Sequence, residues 1–508
     1  MKMTKNKFGL VLLLVAAVAV PVIAESDGIV MFGSGPSRNM MSTETGLPTE
    51  WDAITGKNVL WSADLGSQTY AGPVVKDGKV YVGTNNELEV NPKLKGDRGN
   101  IMVFDEKTGE LLWQSAHAKL PSGRVNDWPL QGICSTPAIE GNRVYYMSNR
   151  GEMIAADVEG FRDGENDGPY KDEEHKSEID EDIIWKYDMI AELDVFPHNL
   201  AAGSPLLVGD MLYAITGQGV DEGHINLPSP FGPSFVAFNK NSGELVWESS
   251  LPGENVLHGS WSNPSYAEIG GVAQVIFPGG DGILYSFEPL KGELLWTFDL
   301  NPEGTKWELG GRGTKNNVIS MPVVHDGIIF IAVGQDPEHG EGPGNLWALN
   351  VAGKKGNLTK QEGVVKWHLG GEEFHRTMSS AAIADGLMYI ADLNGFLYCL
   401  DVETGKKHWT YDTFAAIWGS AWVADGKVYL GDEDGDIAVL KHGKKMELLH
   451  ESNMGAAVYT TPVANDGTIF VASRKKLFAL KNGAGPKKAT PKKPEKGKPE
   501  VKKTEKKG

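Results

Sequence analysis

Along most of this chain apolar and polar residues alternate in short runs, each broken by a glycine or an acidic residue followed by glycine. The sharpest instance is a ten-residue segment ending in tryptophan that occurs four times: FDEKTGELLW from Phe104, FNKNSGELVW from Phe238, FEPLKGELLW from Phe287 and LDVETGKKHW from Leu400. In each, an Asp, Asn or Glu stands eight residues before the Trp and a Gly stands four before it, at Gly109, Gly243, Gly292 and Gly405. Alternation on both sides of a glycine turn predicts a strand, a tight turn and a second strand, and a glycine recurring in mid-segment argues against a helix.

What precedes each copy repeats as well. A Ser-Pro or Thr-Pro step, an apolar run, a glycine turn and a second apolar run appear in STPAIEGNRVYYM from Ser135, SPLLVGDMLYAI from Ser204 and TPVANDGTIFVAS from Thr461. Each unit therefore supplies four short strands, and the turns at Gly78, Gly141, Gly209, Gly270, Gly327, Gly386, Gly426 and Gly467 count eight units. Four-stranded units repeated in this way predict an all-β fold, a single eight-bladed β-propeller. The last unit has no Trp strand, whereas TGKNVLW, ending at Trp61, is an orphan copy near the N-terminus. Pairing the two closes the ring and removes an exposed edge. The expected blade anchors are then Trp61, Trp113, Trp185, Trp247, Trp296, Trp367 and Trp409, with Leu448 or Leu449 in the seventh blade.

Composition adds location. Lys2, Lys5 and Lys7 precede an apolar stretch and Val22-Ile23-Ala24, the pattern of an export signal cleaved after Ala24. Residues 25–50 are read as an arm, 51–485 as the propeller and 486–508 as a disordered tail of Lys, Pro, Glu, Gly and Thr. The protein is expected in the periplasm or outside the cell, with no transmembrane span after cleavage, and as a monomer. The formal net charge is −18, and without the leader and the tail, which holds ten Lys and three Glu, the propeller carries about −28. So acidic a body excludes nucleic acid as a partner. The tail suits contact with an anionic surface, or serves as a solubilising extension. Cys134 and Cys399 fall in units on opposite sides of the ring, too far apart for a disulfide, and are expected as free thiols.

In an up-and-down blade the second turn and the link to the next blade share one face, and the Thr-Gly turns occupy the other. Polar and aromatic residues collect on the link side, just before the inner strands: His198, Asn199, His258, Trp261, Arg312, Lys315, His375, Arg376 and Trp418, with Gln131, Asn316 and Tyr459 beside them. Two long loops, GQGVDEGHIN from Gly217 and GQDPEHGEG from Gly334, lie on the same face. Indoles for stacking, Arg and Lys for carboxylates and His for protons or metal make this axial mouth the expected place for a small planar ligand or an envelope protein. A separate insertion, DGENDGPYKDEE, puts oxygen ligands at Asp163, Glu165, Asp167 and Glu174 in the spacing of a calcium loop, although Pro169 and Tyr170 are atypical of one. No Gly-x-Ser-x-Gly elbow or phosphate-binding loop is present, which leaves hydrolase and nucleotide chemistry without support.

The repeat, sharpest at Asp105 and Asp401 as Asp-x-x-Thr-Gly-(Glu/Lys)-x-x-Trp, resembles the pyrroloquinoline-quinone (PQQ) repeat over roughly Trp51 to Leu480. FGSGPSRNMMS, from Phe32 to Ser42, is similar to the arm that precedes the propeller in many such proteins. The family includes the quinoprotein alcohol dehydrogenases and the outer-membrane β-barrel assembly lipoprotein. For a quinoprotein the resemblance implies PQQ and calcium, with Trp418 as the flat floor and Arg312 or Arg376 at the quinone oxygens. It also implies, commonly, a vicinal disulfide, which two distant cysteines cannot form, and no Cys-x-x-Cys-His haem site is present. The expected function is a non-catalytic binding or scaffold module of the cell envelope, the alternative a PQQ- and calcium-dependent dehydrogenase of an alcohol or sugar.

Overall fold

The computed structural model describes residues 28–340 and 342–485; the expected signal segment and the Lys-rich tail lie outside them. Eight small antiparallel sheets follow one another along the chain, each a meander of four strands. They are the eight blades of a β-propeller. In blade 1 the strands are Val74–Lys76, Lys79–Asn85, Arg98–Asp105 and Leu111–Ala118, from the axis outward. Val59–Asp64, carrying Trp61, pairs antiparallel with Lys476–Lys481 and completes blade 8, so the ring closes as the orphan repeat demands. No helix among the described residues is long and apolar enough to cross a membrane.

The recurring glycine and tryptophan serve one contact. Each glycine turn presents a bare backbone to the indole of the preceding blade. A Cβ at Gly109 would stand 2.6 Å from the Trp61 ring, and Gly243, Gly292 and Gly405 meet Trp185, Trp247 and Trp367 in the same way. The indole Nε1 then donates to a main-chain carbonyl in that neighbouring turn: Trp61 to Glu106 (2.8 Å), Trp113 to Val158 (2.9 Å), Trp185 to Lys240 (2.9 Å), Trp247 to Pro289 (2.8 Å), Trp367 to Val402 (2.9 Å) and Trp409 to Gly443 (2.9 Å). A large apolar surface is buried and its one polar atom is satisfied. Trp296 differs: its Nε1 donates to Gln274 within its own blade, and Gly356–Asn357, from the expanded turn of blade 5, adds a short parallel strand outside it.

In blade 7 the anchor position belongs to neither Leu448 nor Leu449. The outer strands bulge just before the anchor, and with that shift His450 faces Val439 as Trp409 faces Cys399. Leu448 and Leu449 remain exposed, and the space beyond His450 is filled by Trp51, whose ring meets it edge-on at 6.0 Å.

Residues 28–44 thread the axis and touch the inner strand or its flanks in every blade. Gly28 and Ile29 pair with Lys76 and Val75 of blade 1, and Val30 accepts from the Ile139 amide of blade 2. Pro36 and Ser37 accept from Tyr266 and Val324 of blades 4 and 5. Asn39 makes both hydrogen bonds to the Ile383 main chain of blade 6, Met40 and Ser42 bracket Val423 of blade 7, and Glu44 accepts from Gly467 of blade 8. Arg38 is fully buried at the centre, where its guanidinium donates to the carbonyls of Phe32, Ser204, Pro205 and Pro264; burial pushes its pKa down to about 9. The arm thus satisfies backbone groups that eight inner edges would otherwise leave unpaired.

Candidate functional site

The link from one blade to the next ends four residues before the inner strand on a side chain that faces the axis. Those eight residues are Tyr70, Cys134, Ala202, Trp261, Ile319, Met378, Trp418 and Tyr459, and all line one cavity of about 510 Å³. Phe32 of the arm also lines it, and with the arm filling the axis beneath, the cavity is a funnel closed at its base. On the side of blades 1, 7 and 8, Tyr70 stacks on Tyr459 (5.0 Å, 13°) and Tyr459 meets Trp418 edge-on (5.5 Å). The Glu433 carboxylate accepts from the Tyr459 hydroxyl at 3.3 Å and the Trp418 indole at 3.4 Å. Cys134 and Cys399 are both free, and burial pushes the Cys134 thiol up to about 12.

Across the funnel, blades 3 to 5 build a polar wall. His198 comes from the link into blade 3, His258 from the link into blade 4, His224 from the long loop of blade 3, and Asp336, Glu338 and His339 from the long loop of blade 5. The His198 and His258 Nε2 atoms are 2.9 Å apart, and His258 Nε2 is 3.5 Å from Glu338. His258 Nδ1 lies 3.2 Å from the Asp336 carboxylate, which His339 Nδ1 also meets at 2.8 Å. Burial alone would raise Asp336, but these hydrogen bonds hold it well below the usual carboxylate range; the same bond raises His339. Burial pushes His198 down to about 3. Asn199 donates to Glu338 at 3.0 Å, and Trp261 donates to the His198 carbonyl at 3.1 Å. The close backbone packing needs glycine: a Cβ at Gly219 would lie 2.5 Å from the His258 carbonyl oxygen.

The residues expected at the mouth divide in two. Asn199, Trp261 and Trp418 line the funnel with Gln131 and Tyr459, and His198 and His258 lie just behind its wall. The basic side chains are engaged elsewhere. Lys315 pairs with Asp299 at 2.9 Å and His375 with Asp392 at 2.9 Å. Arg312 donates to the Gly223 carbonyl and Arg376 to the Asp336 carbonyl, both at 3.3 Å, so each braces one of the loops that carry His224 and Glu338. Among the described residues lining the funnel none is Lys or Arg, and the carboxylates present are Asp336 and Glu338. PQQ is a tricarboxylic quinone. The donor set here opposes it with like charge and does not fit it.

The acidic insertion brings two of its four expected ligand residues together. Asp163 and Asp167 come together with Asp157, their carboxylate oxygens within 4.8 Å of one another, whereas Glu165 and Glu174 stand outside this group. The Lys171 ammonium enters the turn instead and donates to the Asn166 side chain and to the Asn166 and Asp167 carbonyls.

The sequence matches the family model described as outer membrane protein assembly factor BamB over residues 91–167, 180–438 and 280–489. No curated protein matches the chain. Among solved structures it is similar to BamB from Moraxella catarrhalis (15% identity, TM-score 0.54, covering 83% of this chain and 99% of that one). It is also similar to a europium-containing methanol dehydrogenase (14% identity, TM-score 0.56, 88% and 89% covered). At such identities the two structures share its fold and nothing finer. With the repeat, the eight blades and the extent of the family match in agreement, the chain belongs to the PQQ-repeat β-propeller family whose model carries the BamB description.

Proposed function

We propose that this protein is a non-catalytic binding module of the cell envelope that receives an apolar or aromatic group of its partner in the axial funnel. The funnel carries this reading: eight link residues, mostly aromatic or aliphatic, converge on one closed-ended cavity of about 510 Å³, a volume typical of small-ligand sites. Exposed apolar side chains occur in the links and long loops of the same face, with Phe414 89% and Phe231 81% exposed, and Ile225 and Trp307 exposed as well. Aromatic groups left in water around a cavity favour a protein partner. The family's BamB description supports the envelope.

The dehydrogenase reading meets carboxylates where it needs cations. Titrating purified protein with PQQ and Ca²⁺, while following quinone absorbance and reduction of an artificial acceptor dye, decides between the two. No saturable uptake at high micromolar PQQ is expected, while Nile red, a neutral apolar probe, binds and is displaced by the natural partner. Saturable PQQ uptake with turnover overturns the proposal.

A further inference from the structure

The imidazoles behind the funnel wall are oriented as metal ligands are oriented. His198 Nδ1 lies 2.7 Å from the carbonyl oxygen of Val220 and His258 Nδ1 lies 3.2 Å from the Asp336 carboxylate. Both partners are acceptors, so both Nδ1 atoms carry the proton when the rings are neutral, and each Nε2 is left with a lone pair. Those two Nε2 atoms face one another at 2.9 Å, with no donor of their own to offer. His198 and His258 are 1% and 0% exposed, so water does not separate them. Such a pair repels unless a cation lies beside it. A carbonyl or carboxylate on the far nitrogen of a histidine is also the usual outer support of a metal-bound imidazole.

We propose that His198, His224, His258 and Glu338 bind a divalent transition-metal ion of the zinc or copper class. One ligand atom from each of the four lies within 4.8 Å of the other three. Bonds of about 2.0–2.1 Å in a tetrahedron put ligand atoms roughly 3.3 Å apart. The separations of 2.9 Å (His198–His258), 3.5 Å (His258–Glu338) and 3.9 Å (His224–Glu338) bracket that value. Three imidazoles and one carboxylate suit zinc, copper or nickel, whereas calcium takes six or more oxygens. Asp336 is the orienting carboxylate: it holds His258 by Nδ1 and, through His339, stiffens the loop that carries Glu338.

The ligands come from blades 3, 4 and 5, and two ride on loops held by Arg312 and Arg376, so an ion here would tie together three neighbouring blades at their mouth side. The proposal stands whatever the funnel binds. Its position in the wall, with Glu338 lining both funnel and cluster, places the ion beside the ligand cavity.

The test uses the full chain stripped with a chelator and dialysed, then titrated calorimetrically with ZnCl₂ and, in parallel, with CoCl₂ followed by visible absorption. One equivalent of Zn²⁺ with a sub-micromolar Kd, a raised Tm and the intense visible bands of tetrahedral Co²⁺ are expected. His224→Ala, on a half-exposed loop, leaves the fold intact and weakens binding at least tenfold; His258→Ala removes it; His375→Ala, outside the cluster, leaves it unchanged. No binding at 100-fold the protein concentration overturns the proposal. So does one-equivalent binding that survives the His198→Ala, His224→Ala and His258→Ala changes, or that is lost with Asp163→Ala, which would place the ion in the acidic insertion.

Discussion

At the turn face of the propeller, six of the eight blade junctions repeat one object: an indole lying on the turn of the next blade and donating to its main chain. At the mouth, one position per blade is equally regular in place, four residues before the inner strand, yet its occupants range from Ala202 to Trp418. Both faces are set by the same strands. The turn face repeats its chemistry because every junction solves the same packing problem, whereas the mouth keeps only the geometry and is free to vary what it presents. The irregular loops concentrate there too, and with them His224, Asp336, Glu338 and His339.

The largest effect tests the turn face. Trp113→Ala removes a fully buried indole and its hydrogen bond, and is expected to cost about 3–5 kcal/mol in denaturant unfolding while the folded protein binds a funnel probe as before. A loss below about 1 kcal/mol would show that the junction does not depend on the ring. At the mouth, Cys134, half-buried in the funnel wall, should alkylate at least about tenfold more slowly at pH 8 than a free thiol. Burial holds it at about 12 against an ordinary 9, and the thiolate is the reactive form. Its rate should climb about tenfold per pH unit toward that value, read by mass spectrometry of its peptide; reaction at the free-thiol rate would mean that the funnel wall does not shield this thiol.

Arg38→Met sharpens the comparison, because the arm joins the two faces. Four carbonyls lose their donor, and a cost of about 2 kcal/mol is expected, with faster amide exchange at Tyr266 and Val324, whose N–H groups bond the arm. Unchanged exchange at those amides would separate Arg38 from the seating of the arm. Smallest is Trp418→Ala: a tenfold loss of Nile red affinity with stability altered by no more than about 1 kcal/mol, since the side chain sits in the funnel wall and not in a junction. Equal losses of binding and stability would erase the distinction between the faces.

The blade count, the closing strand and the free cysteines were legible because alternation and glycine turns encode strands directly. The anchor in blade 7 was not, since a bulge moves His450 into the place that simple spacing gives to Leu448 or Leu449. Trp261, Trp418 and Tyr459 drew notice at the mouth as aromatics, whereas Cys134, Ala202, Ile319 and Met378 look like core residues at strand starts; the constant offset of four was the signal that unites them. The basic residues expected at the mouth do not line the funnel, because a side chain's direction depends on partners such as Asp299 and Asp392 that are remote from any local pattern. His224 and His339 lay in loops without periodicity. Even so, Gly-Gln followed by Asp-x-x-His occurs in both, at Gly217-Gln218 with Asp221 and His224, and at Gly334-Gln335 with Asp336 and His339. That second, sparser repeat marks the chemistry where the Trp repeat marks the scaffold.

The arm enters the axis beside Lys76 and leaves it beside Gly467, both at the turn face, and the described chain ends at Gly485, against Gly56 of that same face. Force applied to the described chain at either end acts on the side opposite the funnel. A molecule held to a surface through residue 28 or residue 485 stands with its mouth pointing outward, and a fusion partner added at either position would leave the funnel unobstructed.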